Sequence, residues 1–194
     1  ALGVRDKIWP LLKCKVFRKS EKEIQLNNVN VISFEGFEAD LKKVIVEIFL
    51  RNLWKKAREA RANKITVVID EFQNLMLGKN SSIEQMLREA RKYGVDMVLA
   101  TQTLATFSKE TLVALNQAAV RLYFRPAVSE ARILAQQIDG TNVERMILQL
   151  KHLKIGESIA IGDLEIEGRR IGRPIIVKTD YKTETGYCIR RASK

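Results

Sequence analysis

Apolar positions recur along the chain with two different periods. Val29–Phe34 is short, apolar and β-branched and runs into Gly36, which predicts a buried strand. From about Glu38 to Ala62 the spacing is helical, with Leu41, Val44, Ile45, Ile48, Phe49 and Leu53 recurring at three- and four-residue steps. Ile65–Ile69 is a β-branched strand closed by Asp70 and Glu71. Ser81–Glu84 has the form of a capping box and opens a helix that runs to Tyr93, with Gly94 as its stop. A strand at Asp96–Ala100 comes next, then a helix through Lys109–Gln117 and a strand at Ala119–Phe124 that Pro126 ends. Glu130–Ile138 and Val143–Leu150 read as helices. Ser158–Ile161 and Pro174–Lys178 read as strands around a polar turn, Glu165–Gly172. Residues 1–28 are mixed and basic and fit either a helix or a short strand pair.

Strands that are nearly continuous apolar runs, alternating with helices, predict an α/β fold with a mostly parallel sheet and helices on both faces. A length of 194 residues suits one sizeable core. The expected division is a basic segment at 1–28 and one α/β domain at 29–194.

Composition narrows the function classes. No apolar stretch has the length of a membrane span, and the run Val44–Leu50 is interrupted by Glu47 and followed by Arg51. Cys14 and Cys188 lie far apart and His152 is the sole histidine, which argues against a zinc site and for two reduced thiols in the cytoplasm. The net charge of +11 favours a polyanionic partner, nucleic acid first, although a solvated basic surface has the same signature. Ala1–Pro10 lacks both a signal layout and an initiator Met, so the chain is expected to begin mid-protein.

The chemistry concentrates at strand ends. In Thr66–Gln73 an apolar strand delivers Asp70 and Glu71 side by side, at the carboxyl end where ligands gather in a parallel sheet. Phosphoryl transfer needs such a pair: one carboxylate to hold magnesium and one to orient or deprotonate the attacking water. A strand that simply ends in two solvated acids is the competing reading. Gln102 stands just past the end of the next strand and could hydrogen-bond a terminal phosphate and the water without adding charge; alternatively it opens an ordinary polar loop. Arg121 lies inside the apolar strand Val120–Phe124, where a guanidinium must find a partner, and is the candidate for stabilising a transferring phosphoryl group. Arg125 and Arg132 compete for that role, and surface salt bridges account for them as well.

In sequence order Val68–Gln73, Leu99–Leu104, Asn116–Phe124, Ser129–Leu134 and Leu153–Ile161 resemble the C-terminal half of HerA/FtsK-superfamily ATPases. The resemblance covers about Val29 to Lys178 and implies a RecA-like core, truncated on its N-terminal side. It implies Asp70 as the magnesium residue, acting through water, Glu71 as the catalytic carboxylate, Gln102 as the sensor and Arg121 as an arginine finger. It also implies ATP and Mg2+ as cofactors, a hexameric ring, and duplex DNA as partner. The departure is large: no Gly-x-x-x-x-Gly-Lys-Ser/Thr occurs, and Gly78-Lys79 lacks both the upstream glycine and the following hydroxyl. The phosphate-binding loop is therefore expected in a preceding segment, and the chain by itself is expected to be inactive. The alternative is a non-catalytic nucleic-acid-binding or assembly module of a larger DNA-processing complex. A metal-dependent nuclease lacks its usual acidic motif here, since Asp163, Glu165 and Glu167 fall in a polar turn.

Overall fold

A computed structural model describes residues 29–60, 64–78, 81–180 and 188–191. The segment 1–28, with its expected helix or strand pair, lies outside the described residues.

Helix α1 (Ala39–Ala60) forms where expected and buries Ile45, Val46, Leu50, Trp54 and Ala57; of the six positions that predicted it only Ile45 is fully buried, and Ile48 is exposed. Lys43–Asp40 and Arg51–Glu47 pair at 3.2 Å, one turn apart. Strand β1 (Ile65–Ile69) pairs in parallel with β2 (Val95–Leu99), from Ile65 opposite Val95 to Ile69 opposite Leu99. Between them lies α2 (Ser82–Glu89), extended by a 3-10 turn (Ala90–Tyr93) and closed by Gly94 in the left-handed region, φ 69°. Ser81 caps α2 by accepting from the Glu84 amide at 3.3 Å. Glu47 of α1 accepts from the Ser82 amide at 3.1 Å and from its hydroxyl at 2.8 Å, fastening the start of α2 to α1. Trp54, Ala57, Met86 and Val95 make one core cluster under this sheet; Val46, Leu50 and Ile83 centre the adjoining one.

The second half contains α3 (Lys109–Leu115), β3 (Val120–Phe124), α4 (Ala131–Ile138), α5 (Val143–His152), β4 (Glu157–Gly162), β5 (Leu164–Ile166), β6 (Arg169–Ile171), β7 (Ile175–Asp180) and β8 (Cys188–Arg191). Strands β3, β4, β7 and β8 form one sheet in that order, antiparallel throughout. Leu134, Ala135, Ile138, Met146 and Leu150 of α4 and α5 pack with Tyr123, Ile159 and Ile161 on one of its faces. Hairpin β5–β6 packs through Leu164, Ile166 and Ile171 on Ala160, Ile175 and Val177.

The structure is thus mixed α/β with a small parallel sheet, and the expectation of a mostly parallel sheet is corrected: the larger sheet is antiparallel. The cause lies in the connections. One helix between β1 and β2 carries the chain back to its starting end, so the next strand runs parallel. The pair α4–α5 goes out and returns, so β4 starts where β3 stopped and runs against it.

Among the described residues, helices on both faces are not observed either. Val68 and Val98, on the second face of β1–β2, are 70% and 52% exposed. Val120, Leu122 and Phe124 of β3 are likewise exposed. Val29–Phe34 forms no strand among the described residues, and Val31 is 91% exposed; β-branched side chains favour a strand only where an edge is available for pairing. The polar turn expected at Glu165–Gly172 is instead hairpin β5–β6, closed by Glu167 (φ 51°) and Gly168 (φ 75°), the two positive dihedrals of a tight hairpin corner.

Candidate nucleotide-hydrolysis rim

The parallel register places the ends of β1 and β2 side by side, and the pairing continues past both strands. The Ala100 amide donates to the Ile69 carbonyl at 2.9 Å, and the Phe72 amide donates to the Ala100 carbonyl at 3.1 Å. Two exit loops held this closely bring Asp70 and Glu71 beside Thr101 and Gln102. Phe72 is 2% exposed and stacks on Phe107, with ring centroids 5.1 Å apart, which anchors the loop just beyond the acids.

Glu71 adopts a left-handed conformation, φ 51° and ψ 40°. That conformation is unfavourable for a residue with a Cβ and is held in place by the surrounding bonds. Asp70 Oδ1 accepts from the Glu71 amide at 2.9 Å. Gln102 Nε2 donates to Glu71 Oε1 at 2.7 Å, and Asn74 Nδ2 donates to Oε2 at 3.3 Å. No ion pair engages either carboxylate among the described residues. Both acids are exposed, so a ligand can reach them.

The Gln102 loop is braced from the other half of the molecule. Thr101 Oγ1 donates to the Thr103 carbonyl at 2.8 Å, the Thr103 hydroxyl bonds the Glu130 carboxylate at the start of α4, and Leu104 packs against the core under β3–β4.

Arg121 lies on β3, in the other sheet, and faces the α4–α5 side with Tyr123, two residues along. Its Nη1 donates to Asn116 Oδ1, and Asn116 Nδ2 donates to Gln137 Oε1 at 2.7 Å. Burial pushes the Tyr123 hydroxyl above its ordinary pKa, while the Arg121 charge and hydrogen bond pull it partway back. Arg132 pairs with Glu144 at 3.3 Å on the surface, and Arg125 is exposed. Sequence reasoning missed Asn74 and Asn116. Asn74 carried a usable signal: it stands three residues past Glu71, the spacing that stacks side chains in a 3-10 turn.

Magnesium and a nucleotide fit this rim unequally. Among the described residues no group of three or more His, Cys, Asp and Glu is placed to hold a metal alone. Magnesium bound to phosphates asks for less, often one carboxylate with water between, and Asp70 keeps Oδ2 free of the bond to Glu71. The donor set therefore fits the metal. The triphosphate itself has no cradle in this sequence, since the loop motif is missing.

Residues 33–148 match the family described as the type IV secretion-system coupling protein DNA-binding domain. That match takes in more than half of the 194 residues and spans Asp70, Glu71, Gln102 and Arg121, so the chain belongs to this family and is a relative of the HerA/FtsK-type P-loop ATPases. No curated protein matches it. Among solved structures it is similar to the genome packaging NTPase B204 from Sulfolobus turreted icosahedral virus 2, in complex with AMPPCP. That similarity has 19% identity and a TM-score of 0.46, over 60% of this chain and 56% of the other, so the chain spans little more than half of that protein's length. No helix among the described residues is long and apolar enough to cross a membrane.

Proposed function

We propose that the chain is the magnesium-and-water half of an ATP-driven DNA motor. The reading is carried by one observation: Glu71 and Gln102, 31 residues apart in sequence, meet at 2.7 Å at the ends of adjacent parallel strands, with Asp70 alongside. In this reading Asp70 holds Mg2+ through water, and the bound cation neutralises charge on the phosphates. Glu71 would accept a hydrogen bond from the attacking water and set its direction, taking the proton as the new P–O bond forms and the bond to the departing ADP oxygen breaks. Gln102 donates one amide hydrogen to Glu71 and keeps the other for a phosphate oxygen, which lets it report whether the terminal phosphate is present.

Arg121 serves an adjoining protomer of a hexameric ring, after leaving Asn116 as the subunits close. The core is RecA-like, completed by a phosphate-binding loop outside these 194 residues; the exposed Val68, Val98 and Leu122 are faces such a completed sheet would cover. Duplex DNA is the partner, in keeping with the family description and a net charge of +11.

The isolated chain should neither bind ATP tightly nor hydrolyse it. The full-length protein should do both and lose hydrolysis when Glu71→Gln is made, whereas undiminished turnover would remove Glu71 from the mechanism. A second reading, a DNA-binding or assembly module without catalysis, is favoured by the missing loop motif together with the basic charge. A parent protein without any phosphate-binding loop would support it.

A further inference from the structure

We propose that Asn74 is a positioning residue for the water-directing carboxylate, an inference that rests on Glu71 acting as the base in the proposed motor. A carboxylate at the end of an exposed glutamate side chain rotates freely, and a freely rotating base loses the orientation that makes proton transfer efficient. Here the carboxylate is held from both sides. Gln102 Nε2 reaches Oε1 at 2.7 Å from the exit of β2, and Asn74 Nδ2 reaches Oε2 at 3.3 Å from the turn after β1. Two donors on two separate loops fix the plane of the group, which either alone would leave free to swing.

Asn74 is itself well placed to do this. It ends the 3-10 turn Phe72–Asn74, and its amide donates to the Glu71 carbonyl at 3.0 Å, so side chain and backbone both close on the same residue. The turn is anchored by Phe72, buried and stacked on Phe107. The left-handed backbone of Glu71, φ 51°, turns the side chain back over the turn toward Asn74.

The chemistry of the donors suits a base. Each carboxylate oxygen has about two acceptor sites, so one amide bond on each leaves room for water. Both donors are neutral amides, so neither sets a cation against the carboxylate that must accept a proton. Aspartate at 74 would remove the donor and set a like charge against Glu71.

The test has two parts. In the nitrogen-15-labelled full-length protein, Asn74→Ala should shift the Gln102 side-chain amide resonances, because the two residues communicate through one carboxylate, while the backbone spectrum outside the loop stays in place. Unmoved Gln102 resonances would overturn the proposal without any appeal to catalysis. In the full-length protein with ATP and magnesium, Asn74→Ala should lower kcat about tenfold with KM changed less than about twofold, and Asn74→Asp should lower kcat further. An unchanged kcat beside a dead Glu71→Gln would overturn the positioning role and leave the proposed function standing. An active Glu71→Gln would instead overturn the reading on which the role rests.

Discussion

Gln102 donates to Glu71 across the mouth of two parallel strands, at 2.7 Å, although 31 residues separate them in sequence. The contact is set by register: Ile69 lies opposite Leu99, so the two exit loops leave the sheet at the same level. Replacing Gln102 therefore acts on the carboxylate directly. Gln102→Glu removes the donor and places a like charge against Glu71, and should reduce ATP turnover of the full-length protein by about a hundredfold. Gln102→Ala, which only removes the donor, should reduce it less. Steady-state ATPase measurements on the pair decide this, and equal activity in both would show that charge at the rim is unimportant.

The connection between α4 and α5 has a pH signature. Asp139 accepts from the Thr141 hydroxyl at 2.6 Å and from Asn142 Nδ2 at 2.9 Å, and these bonds, with Thr141 foremost, hold its carboxyl at about 2 against an ordinary 3.8. A depressed folded value means that the contribution is complete above the unfolded value and fades as pH falls through the folded one. Asp139→Ala should lower Tm at about pH 7, and the difference from the unmodified chain should close between about pH 4 and pH 2. Thermal unfolding monitored by circular dichroism checks it; a difference independent of pH would assign the effect to packing.

Gly162 ends β4 at φ 115°, and a Cβ there would lie 2.0 Å from the Ala119 carbonyl oxygen. That same carbonyl accepts from the Asp163 amide at 2.7 Å, so the backbone cannot retreat without opening the end of the β3–β4 pair. Gly162→Ala should cost about 3 kcal/mol or more in chemical denaturation. Gly140→Ala, where the nearest atom is 3.7 Å away, is the matched control and should cost far less.

Glu84 is 1% exposed, and its Oε1 accepts from the Thr111 hydroxyl at 3.3 Å. Thr111→Val keeps the shape of that side chain and removes the donor. Leaving a buried acceptor without its partner costs about 1–3 kcal/mol, which urea unfolding resolves. A loss below that range would mean that water reaches Glu84.

Much of this was legible in the chain. The six apolar positions from Leu41 to Leu53 lie within helix α1 as observed, and Ile65–Ile69 forms its strand with Asp70 and Glu71 at the end. Local patterns of this kind survive because burial rewards the period that the sequence carries. What failed depended on partners distant in sequence. Val29–Phe34 has strand composition, but composition supplies no edge to pair with. The direction of β4 depends on α4 and α5 folding back on each other, which neither helix encodes alone. The hairpin at Leu164–Ile171 did carry its signal, since apolar Leu164, Ile166 and Ile171 share a face across the Glu167-Gly168 corner.

At the rim, Asp70 and Glu71 stood out because phosphoryl transfer needs two carboxylates at a strand end, although a strand that ends in two solvated acids is common. Asn74 did not, being small, neutral and common in turns. For Arg121 the chain indicated that a partner was needed, but the partners Asn116 and Tyr123 emerge only once β3 is placed.

The most direct test compares ATP hydrolysis by the full-length protein with that of its Glu71→Gln variant, alongside nucleotide affinity measured on both. Turnover should fall by about a hundredfold or more with affinity held within about twofold, because glutamine keeps the size of the side chain while removing the base and one of its two acceptor oxygens. Turnover that survives the substitution would contradict a base at Glu71.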